Sequence, residues 1–280
     1  MVEIYSLFRK YGLTPQVVSS FQAIIREYYR EHGRVFPWRE TTDPYHILVS
    51  EFMLQQTQTS RVEDKYVEFI STFPDVFQLA QSPFREVLRV WQGLGYNRRA
   101  LALHKTAGEI AKRYHGQIPD DPALLRQLPG IGEYTAAAIM AIAFNKPVVV
   151  IDTNIRTVYF YFFFSGAETV GKNDIVPFVE ATLDRNSPRE WYYALFDYGS
   201  MLKRENKDLE AGKRRKQSIF RGSDREVRSN ILRLLLEAEK MTEDQLLARL
   251  PSDNERVRRL VTQLHEEGLI DYGDGGVRIK

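Results

Sequence analysis

The stretch of sequence that decides the fold is Leu128-Pro129-Gly130-Ile131-Gly132-Glu133-Tyr134-Thr135-Ala136-Ala137. Gly130 and Gly132 flank one apolar residue, which predicts a sharp backbone turn. The alanine-rich run from Thr135 to Ala143 predicts a buried helix after it. Because the first N–H groups of a helix lack partners within it, the turn at the two glycines is predicted to suit a phosphate. An ordinary turn before a core helix explains the same residues, so this stretch alone does not distinguish a phosphate site from a structural turn.

Length and composition limit the possible classes of protein. The 280 residues allow a large core plus a small extra domain. With no cysteine, the chain has no disulfide, zinc-thiolate site or cysteine-ligated iron–sulfur cluster. The first ten residues lack a signal-peptide pattern, and no apolar run approaches the roughly 20 residues that span a bilayer. We therefore expect no membrane association and an intracellular location, on DNA if the protein binds it.

Positive charge is concentrated locally although the net charge is only +2. Residues 203–228 contain ten Lys or Arg and five acidic residues. We interpret residues 203–222 as a basic linker, which is either solvated or in contact with phosphate. Lys213, Arg214 and Arg215 are its strongest candidates for DNA contact.

Two carboxylates, Glu51 and Asp152, lie next to or within apolar runs of the sequence. Glu51 lies inside the apolar run from His46 to Gln58, where a charge is unfavourable unless it is paired or used. Asp152 follows a β-branched run and precedes a helical pattern. The simple alternatives are a salt-bridged structural glutamate and a helix N-cap. Asp197 is a third acid in an apolar helix.

Two polar or glycine-rich segments are candidates for contact with nucleic acid. Gln55, Gln56 and Thr57 end the Glu51 helix, where glutamines either cap it or bond to base edges. The turn Gly93-Leu94-Gly95-Tyr96 predicts an exposed apolar wedge for a base stack, with Arg98 and Arg99 beside it for phosphates. The alternative is a turn whose Leu94 and Tyr96 face the core.

The last segment, residues 223–280, has a different pattern. Residues 226–238, 242–250 and 254–267 predict three short amphipathic helices, and residues 268–279 predict a hairpin around an Asp-Gly turn. This arrangement resembles a winged helix, whose third helix often enters the DNA major groove. Winged helices also contact proteins, so both partners stay open. Three arginines lie on that helix: Arg256, Arg258 and Arg259.

Several motifs in one order resemble the MutY-like adenine DNA glycosylases of the helix-hairpin-helix superfamily. The resemblance covers about residues 34–200. The motifs are Pro37-Trp38-Arg39, Asp43-Pro44-Tyr45, Ser50-Glu51-Phe52-Met53-Leu54-Gln55-Gln56-Thr57-Gln58, Gly93-Leu94-Gly95-Tyr96, Leu128-Pro129-Gly130-Ile131-Gly132 and Asp152-Thr153-Asn154.

The resemblance implies an all-α, two-lobed glycosylase fold, to which we add a small C-terminal winged-helix (α+β) domain. We expect a glycosylase domain over residues 1–222 and the winged-helix-like domain over 223–280. Within the first, a six-helix lobe is expected over about 38–146, and a second lobe joins 1–37 to 147–222.

The resemblance also implies a reaction and its residues. A monofunctional enzyme would flip adenine, mispaired with 8-oxoguanine or guanine, out of double-stranded DNA and hydrolyse its glycosidic bond. Glu51 matches the general acid, Asp152 the carboxylate beside the sugar, and Tyr134 and Asn154 their supports. Trp38, Arg39 and Leu54 match the base pocket. The family's contacts to the opposite base, and its intercalating wedge, correspond here to Gln56, Thr57, Leu94 and Tyr96. Gln55 and Gly95 lie beside them in the sequence.

The sequence also departs from the family. The usual four cysteines are missing, so we expect no iron–sulfur cluster; a monovalent cation held by hairpin carbonyls is the one cofactor left open. The winged-helix-like segment stands where the family usually has a domain that checks for 8-oxoguanine. Thr153 stands where MutY usually has glycine. Excision of thymine or uracil opposite guanine therefore remains open, as does a non-catalytic DNA-binding regulator. We expect a monomer.

Overall fold

The computed structural model describes residues 2–167, 169–206, 219–273 and 276–280. Its first half contains helices α1 (Val2–Tyr11), α2 (Pro15–His32), α3 (Pro44–Leu54), α4 (Thr59–Thr72), α5 (Val76–Gln81), α6 (Phe84–Trp91), α7 (Arg98–Arg113) and α8 (Pro122–Leu125). The second half contains α9 (Glu133–Ile142), α10 (Thr153–Phe163), α11 (Lys172–Thr182), α12 (Pro188–Glu205), α13 (Asp224–Glu237), α14 (Glu243–Arg249), α15 (Asn254–Glu266) and strands β1 (Ile270–Gly273) and β2 (Gly276–Ile279). The fold is therefore predominantly helical with a small C-terminal hairpin, which confirms the predicted fold class.

The chain divides into two compact units that do not follow the predicted boundaries. Unit 1 comprises residues 1–51 and 118–215, and unit 2 comprises residues 52–117 and 216–280. The division falls inside α3, directly after Glu51. The C-terminal segment thus belongs to the same unit as α4 to α7, so a free-standing domain over residues 223–280 stays a prediction.

Aromatic side chains form the core of unit 1. Phe21 of α2 packs against Phe162 of α10 at 5.1 Å and against Trp191 of α12 at 5.9 Å between ring centroids. Such pairs combine a large buried apolar area with favourable edge-to-face geometry. The aromatic run at the end of α10, which is too short to span a bilayer, is therefore core. Helix α12 also reaches the start of α10, next to Asp152, where Gly199 lies close to the backbone of Asn154.

A second core holds unit 2 together. Phe69 of α4 contacts Phe73 at 4.9 Å and Trp91 of α6 at 6.1 Å between ring centroids. The C-terminal segment packs onto this unit: the Arg85 guanidinium donates to the Leu236 carbonyl at 2.7 Å. Gly268 also lies near Leu101 of α7, where an added Cβ would be 3.7 Å from Leu101 Cδ2.

The C-terminal segment has the predicted three helices and hairpin. Strands β1 and β2 are antiparallel, with Ile270 opposite Ile279; the predicted turn residues Asp274 and Gly275 lie outside the described residues. The arginines predicted to face DNA are engaged within the segment. Arg256 and Arg259 pair with Asp224 at 2.7 and 2.9 Å, and Arg258 pairs with Glu243 at 2.7 Å. DNA contact by α15 stays a prediction.

Candidate active site

Asp152 is held at the start of α10 by a tight set of hydrogen bonds. Its Oδ1 accepts from the backbone N–H of Asn154 at 2.8 Å and of Ile155 at 2.7 Å. Its Oδ2 accepts from the Asn154 side-chain amide at 2.8 Å. The predicted N-cap is confirmed. Burial raises the pKa of Asp152 above its usual range, although these N–H donors favour the charged form.

Glu51 lies in the last turns of α3 and is only 7% exposed. Burial, reinforced by the negative charge of Asp152, raises the pKa of Glu51 to about 8. No basic side chain among the described residues opposes these two effects. The salt-bridged structural glutamate is therefore not what the structure shows. Glu51 is instead a neutral acid at pH 7, within electrostatic range of Asp152.

Tyr134, in the first turn of α9, completes this group in unit 1. Burial raises the pKa of its hydroxyl well above the usual value, and the charges of Glu51 and Asp152 add to that effect. The residue as a whole nevertheless remains 36% exposed. Tyr134 is thus within electrostatic range of the two carboxyls, although the residue as a whole is partly exposed. The structure brings together the three residues that the sequence could only place far apart along the chain.

Trp38 and Arg39 lie in a short 3-10 helix, Pro37–Arg39. The Trp38 ring is buried and stacks on Phe36 at 4.8 Å between ring centroids. Both terminal nitrogens of Arg39 donate to the carboxylate of Asp197, at 2.8 and 2.9 Å. Although burial opposes the charge of Asp197, Arg39 and Arg34 lower its pKa below the usual value. The acid predicted as buried is therefore an ion-pair partner, and the base-pocket role of Arg39 stays a prediction.

In unit 2, a buried arginine organises the two segments predicted to contact DNA. Arg99 Nη1 donates to the carbonyls of Phe52 at 2.9 Å, Met53 at 3.0 Å and Gln55, and Nη2 donates to Thr57 Oγ1 at 2.9 Å. Nη2 also reaches the Gly95 carbonyl at 3.2 Å. Burial lowers the pKa of Arg99 to about 10. The phosphate contact predicted for Arg99 is wrong, because its guanidinium is used inside the unit.

The predicted wedge is only half exposed. Leu94 is 1% exposed and packs in the core, so the prediction that it projects from the turn is wrong for this structure. Tyr96 is 45% exposed and faces solvent, with φ at 49°. Gln56 is exposed with φ at 55°. Such left-handed conformations are strained for residues other than glycine and are concentrated at functional sites.

The remaining predicted contact residues are distributed over both units. In unit 1, Gly130 and Gly132 are exposed at the turn before α9, and Gly130 has φ at 77°. In unit 2, Gly95 and Arg98 are exposed, and Leu54 and Gln55 are half-buried at the end of α3. Lys213, Arg214 and Arg215 lie outside the described residues. The roles of all of these residues toward DNA stay predictions.

A family model and a relative that spans most of the chain both match this sequence. The model of the HhH-GPD superfamily of base excision DNA repair proteins matches residues 49–182. An adenine DNA glycosylase of Mycolicibacterium smegmatis is 33% identical over 89% of this chain and 92% of its own length. The chain belongs to the HhH-GPD superfamily.

Two further superfamily members resemble the chain over part of its length. An adenine DNA glycosylase of Buchnera aphidicola is 32% identical over 65% of this chain, which spans about half of that relative, 52% of its length. A thermostable thymine-DNA glycosylase of known structure is 28% identical, with a TM-score of 0.61, over 66% of this chain and 86% of the other. The predicted family is thus confirmed.

Three residues of this HhH-GPD chain were missed or misread in the sequence. Arg99 was assigned to phosphate. Lys203 lies beside the Asp152 cap, and nothing in its position along the chain signals that contact. Tyr193 has a buried hydroxyl with no hydrogen-bond partner among the described residues, and burial, together with the charge of Glu51, raises its pKa. Only the packing of α12 within unit 1 could identify the last two.

No described helix is long and apolar enough to cross a membrane. In the described part of the chain, no three acidic or histidine side chains are grouped in a way that would bind a metal ion. The full sequence has no cysteine, so the thiolate ligands that an iron–sulfur cluster needs are missing.

Proposed function

We propose that this protein is a monofunctional DNA glycosylase of base excision repair that hydrolyses the glycosidic bond of adenine mispaired with 8-oxoguanine or guanine. The observation that carries the proposal is the buried Glu51, whose pKa of about 8 keeps it protonated at neutral pH beside Asp152. A carboxylic acid and a carboxylate with different environments are what acid-assisted cleavage of a glycosidic bond requires.

The proposed chemistry assigns one role to each acid. Glu51 donates its proton to N7 of the flipped adenine, which lets the base leave as a neutral molecule. The positive charge that develops on the deoxyribose is stabilised by the carboxylate of Asp152. Water then bonds to C1′, and the proton it releases restores Glu51. The hydrogen bonds from Asn154 and Ile155 hold Asp152 in place for this step.

Tyr134 supports hydrolysis without strand cleavage. Bifunctional members of the superfamily carry a lysine at the matching position, and that lysine forms a Schiff base with the sugar. The raised pKa of the Tyr134 hydroxyl keeps it neutral. A neutral phenol cannot form an imine, so we expect an intact abasic strand as the product.

Double-stranded DNA is the proposed partner, and relatives support adenine as the excised base. The relative that matches most of this chain is an adenine DNA glycosylase. In unit 2, the exposed Gln56, Tyr96 and Arg98 are the proposed contacts to the opposite base and the backbone. We propose that the protein acts as a monomer without an iron–sulfur cluster. A monovalent cation at the carbonyls of the turn before α9 stays a prediction.

Excision of thymine or uracil opposite guanine is the second candidate. It is favoured by the similarity in structure to the thermostable thymine-DNA glycosylase. Pyrimidines have no N7, so a buried neutral acid would have no such proton acceptor. Glu51 therefore favours adenine.

A single-turnover panel tests the proposal. Duplexes carrying adenine, thymine or uracil opposite guanine or 8-oxoguanine are incubated with the protein, and abasic product is revealed by alkali. We expect adenine to be released and Asp152→Asn and Glu51→Gln to lose at least ~100-fold in rate. Release of thymine or uracil alone favours the second candidate. DNA binding with no excision at all indicates a non-catalytic regulator, and nicking without alkali contradicts the monofunctional assignment.

A further inference from the structure

The last two turns of α12 approach the Asp152 cap closely. Gly199 of this helix lies against the backbone of Asn154, where an added Cβ would be 2.4 Å from the Asn154 carbonyl oxygen. Any side chain at this position would push α12 away from the start of α10. Residues four apart lie on the same face of a helix, so Lys203 reaches the same place from one turn further on.

Lys203 binds the first two residues of α10. Its Nζ donates to Thr153 Oγ1 at 2.8 Å and to Asn154 Oδ1 at 2.9 Å. An amide whose oxygen accepts from an ammonium must turn its nitrogen the other way. The Asn154 Nδ2 accordingly donates to Asp152 Oδ2 at 2.8 Å. A continuous hydrogen-bonded path thus runs from Lys203 through Asn154 to Asp152.

We propose that Lys203 is a positioning residue for the glycosylase reaction: it fixes the Asn154 amide in the orientation that holds Asp152, and its positive charge favours the ionised form of Asp152. This inference rests on the proposed function and adds a residue to it. Lys203 acts through Asn154, so it is not itself a catalytic residue.

Burial is the effect at Asp152 that an adjacent cation opposes. Glu51 from α3 and Tyr134 from α9 are the titratable groups that interact with Asp152, and the charge of Asp152 contributes to raising the pKa of both. Burial raises the pKa of Asp152, whereas the charge of Lys203 lowers it. Lys203 is the basic side chain among the described residues that opposes this effect at Asp152. An adjacent cation typically changes a carboxyl pKa by about 1 to 3 units.

The first test is the pH profile of single-turnover excision for Lys203→Met, which keeps the apolar stem, and for Lys203→Arg, which keeps the charge. Because Asp152 must be ionised, Lys203→Met should move the acidic limb of the profile upward by about one pH unit. Below that limb the rate then falls about tenfold, and the loss shrinks as the pH rises. Lys203→Arg should retain the wild-type limb. The control, Lys146→Met, removes a lysine whose ion pair with Asp120 is exposed.

The second test does not need activity. The carboxyl carbon of Asp152, assigned with Asp152→Asn, is titrated by NMR in the full chain. A higher pKa in Lys203→Met than in the wild type and in Lys146→Met supports the proposal. An unchanged pKa, an unmoved acidic limb, or an equal loss of rate at every pH overturns it. If the wild type releases no base from any duplex, the proposed function fails, while this titration still tests Lys203.

Discussion

At the scale of single residues, the protonation state of Glu51 sets the pH behaviour of the proposed site. Glu51 has to be protonated to act as an acid, and its pKa is about 8. We expect the excision rate to fall as the pH rises through about 8, and Glu51→Gln to remove this basic limb together with most of the activity. The measurement is the single-turnover rate from pH 5 to 10. A wild-type rate that is constant up to pH 10 would contradict the assignment.

The same buried acid affects stability with a known sign. The folded pKa of Glu51 is raised above its unfolded value of about 4.5, so its stabilising contribution is complete below pH 4.5 and is lost as the pH rises to about 8. The loss amounts to about 1.4 kcal/mol per pH unit between those values. Glu51→Gln stays neutral and should therefore gain stability relative to the wild type as the pH rises. Denaturant unfolding at pH 5, 7 and 9 measures this difference.

Tyr193 allows a stability prediction with a matched control. Its buried hydroxyl has no hydrogen-bond partner among the described residues, and such groups destabilise by about 1 to 3 kcal/mol. Tyr193→Phe should therefore raise the free energy of unfolding by about 1 kcal/mol. The neighbouring Tyr192 hydroxyl donates to the Val148 carbonyl at 2.6 Å and accepts from Val150 N–H at 3.0 Å. Tyr192→Phe should destabilise instead, and equal effects of both variants would refute the argument.

At the scale of elements, Arg99 connects the end of α3, the glutamine segment (residues 55–57) and the turn before α7. Arg99→Met would leave the carbonyls of Phe52 and Met53 without this donor, so we expect a loss of about 3 kcal/mol in stability and a weaker affinity for duplex DNA. Denaturant unfolding and fluorescence anisotropy measure the two effects. For the stability measurement the control is Arg98→Met, because Arg98 is exposed on the same helix. It should leave stability unchanged, and an equally stable Arg99→Met would contradict the role.

The elements also show what the sequence could and could not predict. The cap at Asp152 was predictable, because an Asp followed by Asn before a helical pattern is a local signal. The partner of Asp197 was not, since Arg39 lies 158 residues away in sequence. Leu94 and Arg99 were misread for a related reason. A glycine turn has the same local sequence whether its apolar residue faces the core or solvent, and only the packing of unit 2 decides between them.

At the scale of the whole molecule, the C-terminal segment is grouped with α4 to α7 in unit 2, and whether it also folds as a separate domain stays a prediction. Arg85 of α6 donates to the Leu236 carbonyl, and a Cβ added at Gly268 would lie 3.7 Å from Leu101 Cδ2 of α7. Removing residues 224–280 would take away the segment that lies next to α6 and α7. We therefore expect the truncated chain to show faster hydrogen exchange in α6 and α7 and a lower midpoint of thermal unfolding.

The point variant Arg85→Met separates the effect of this contact from that of truncation. It removes one hydrogen bond to the segment and keeps the chain intact, so a loss of about 1 kcal/mol is expected, with faster exchange in α13 as well as in α6. Arg89→Met, on the same helix, is the control. If truncation left exchange in α6 and α7 unchanged, the segment would be the independent domain that the sequence predicted. If exchange rises, the C-terminal segment supports α7, the helix from which Arg99 holds the glutamine segment. Removal of the C-terminal segment should then also weaken DNA binding.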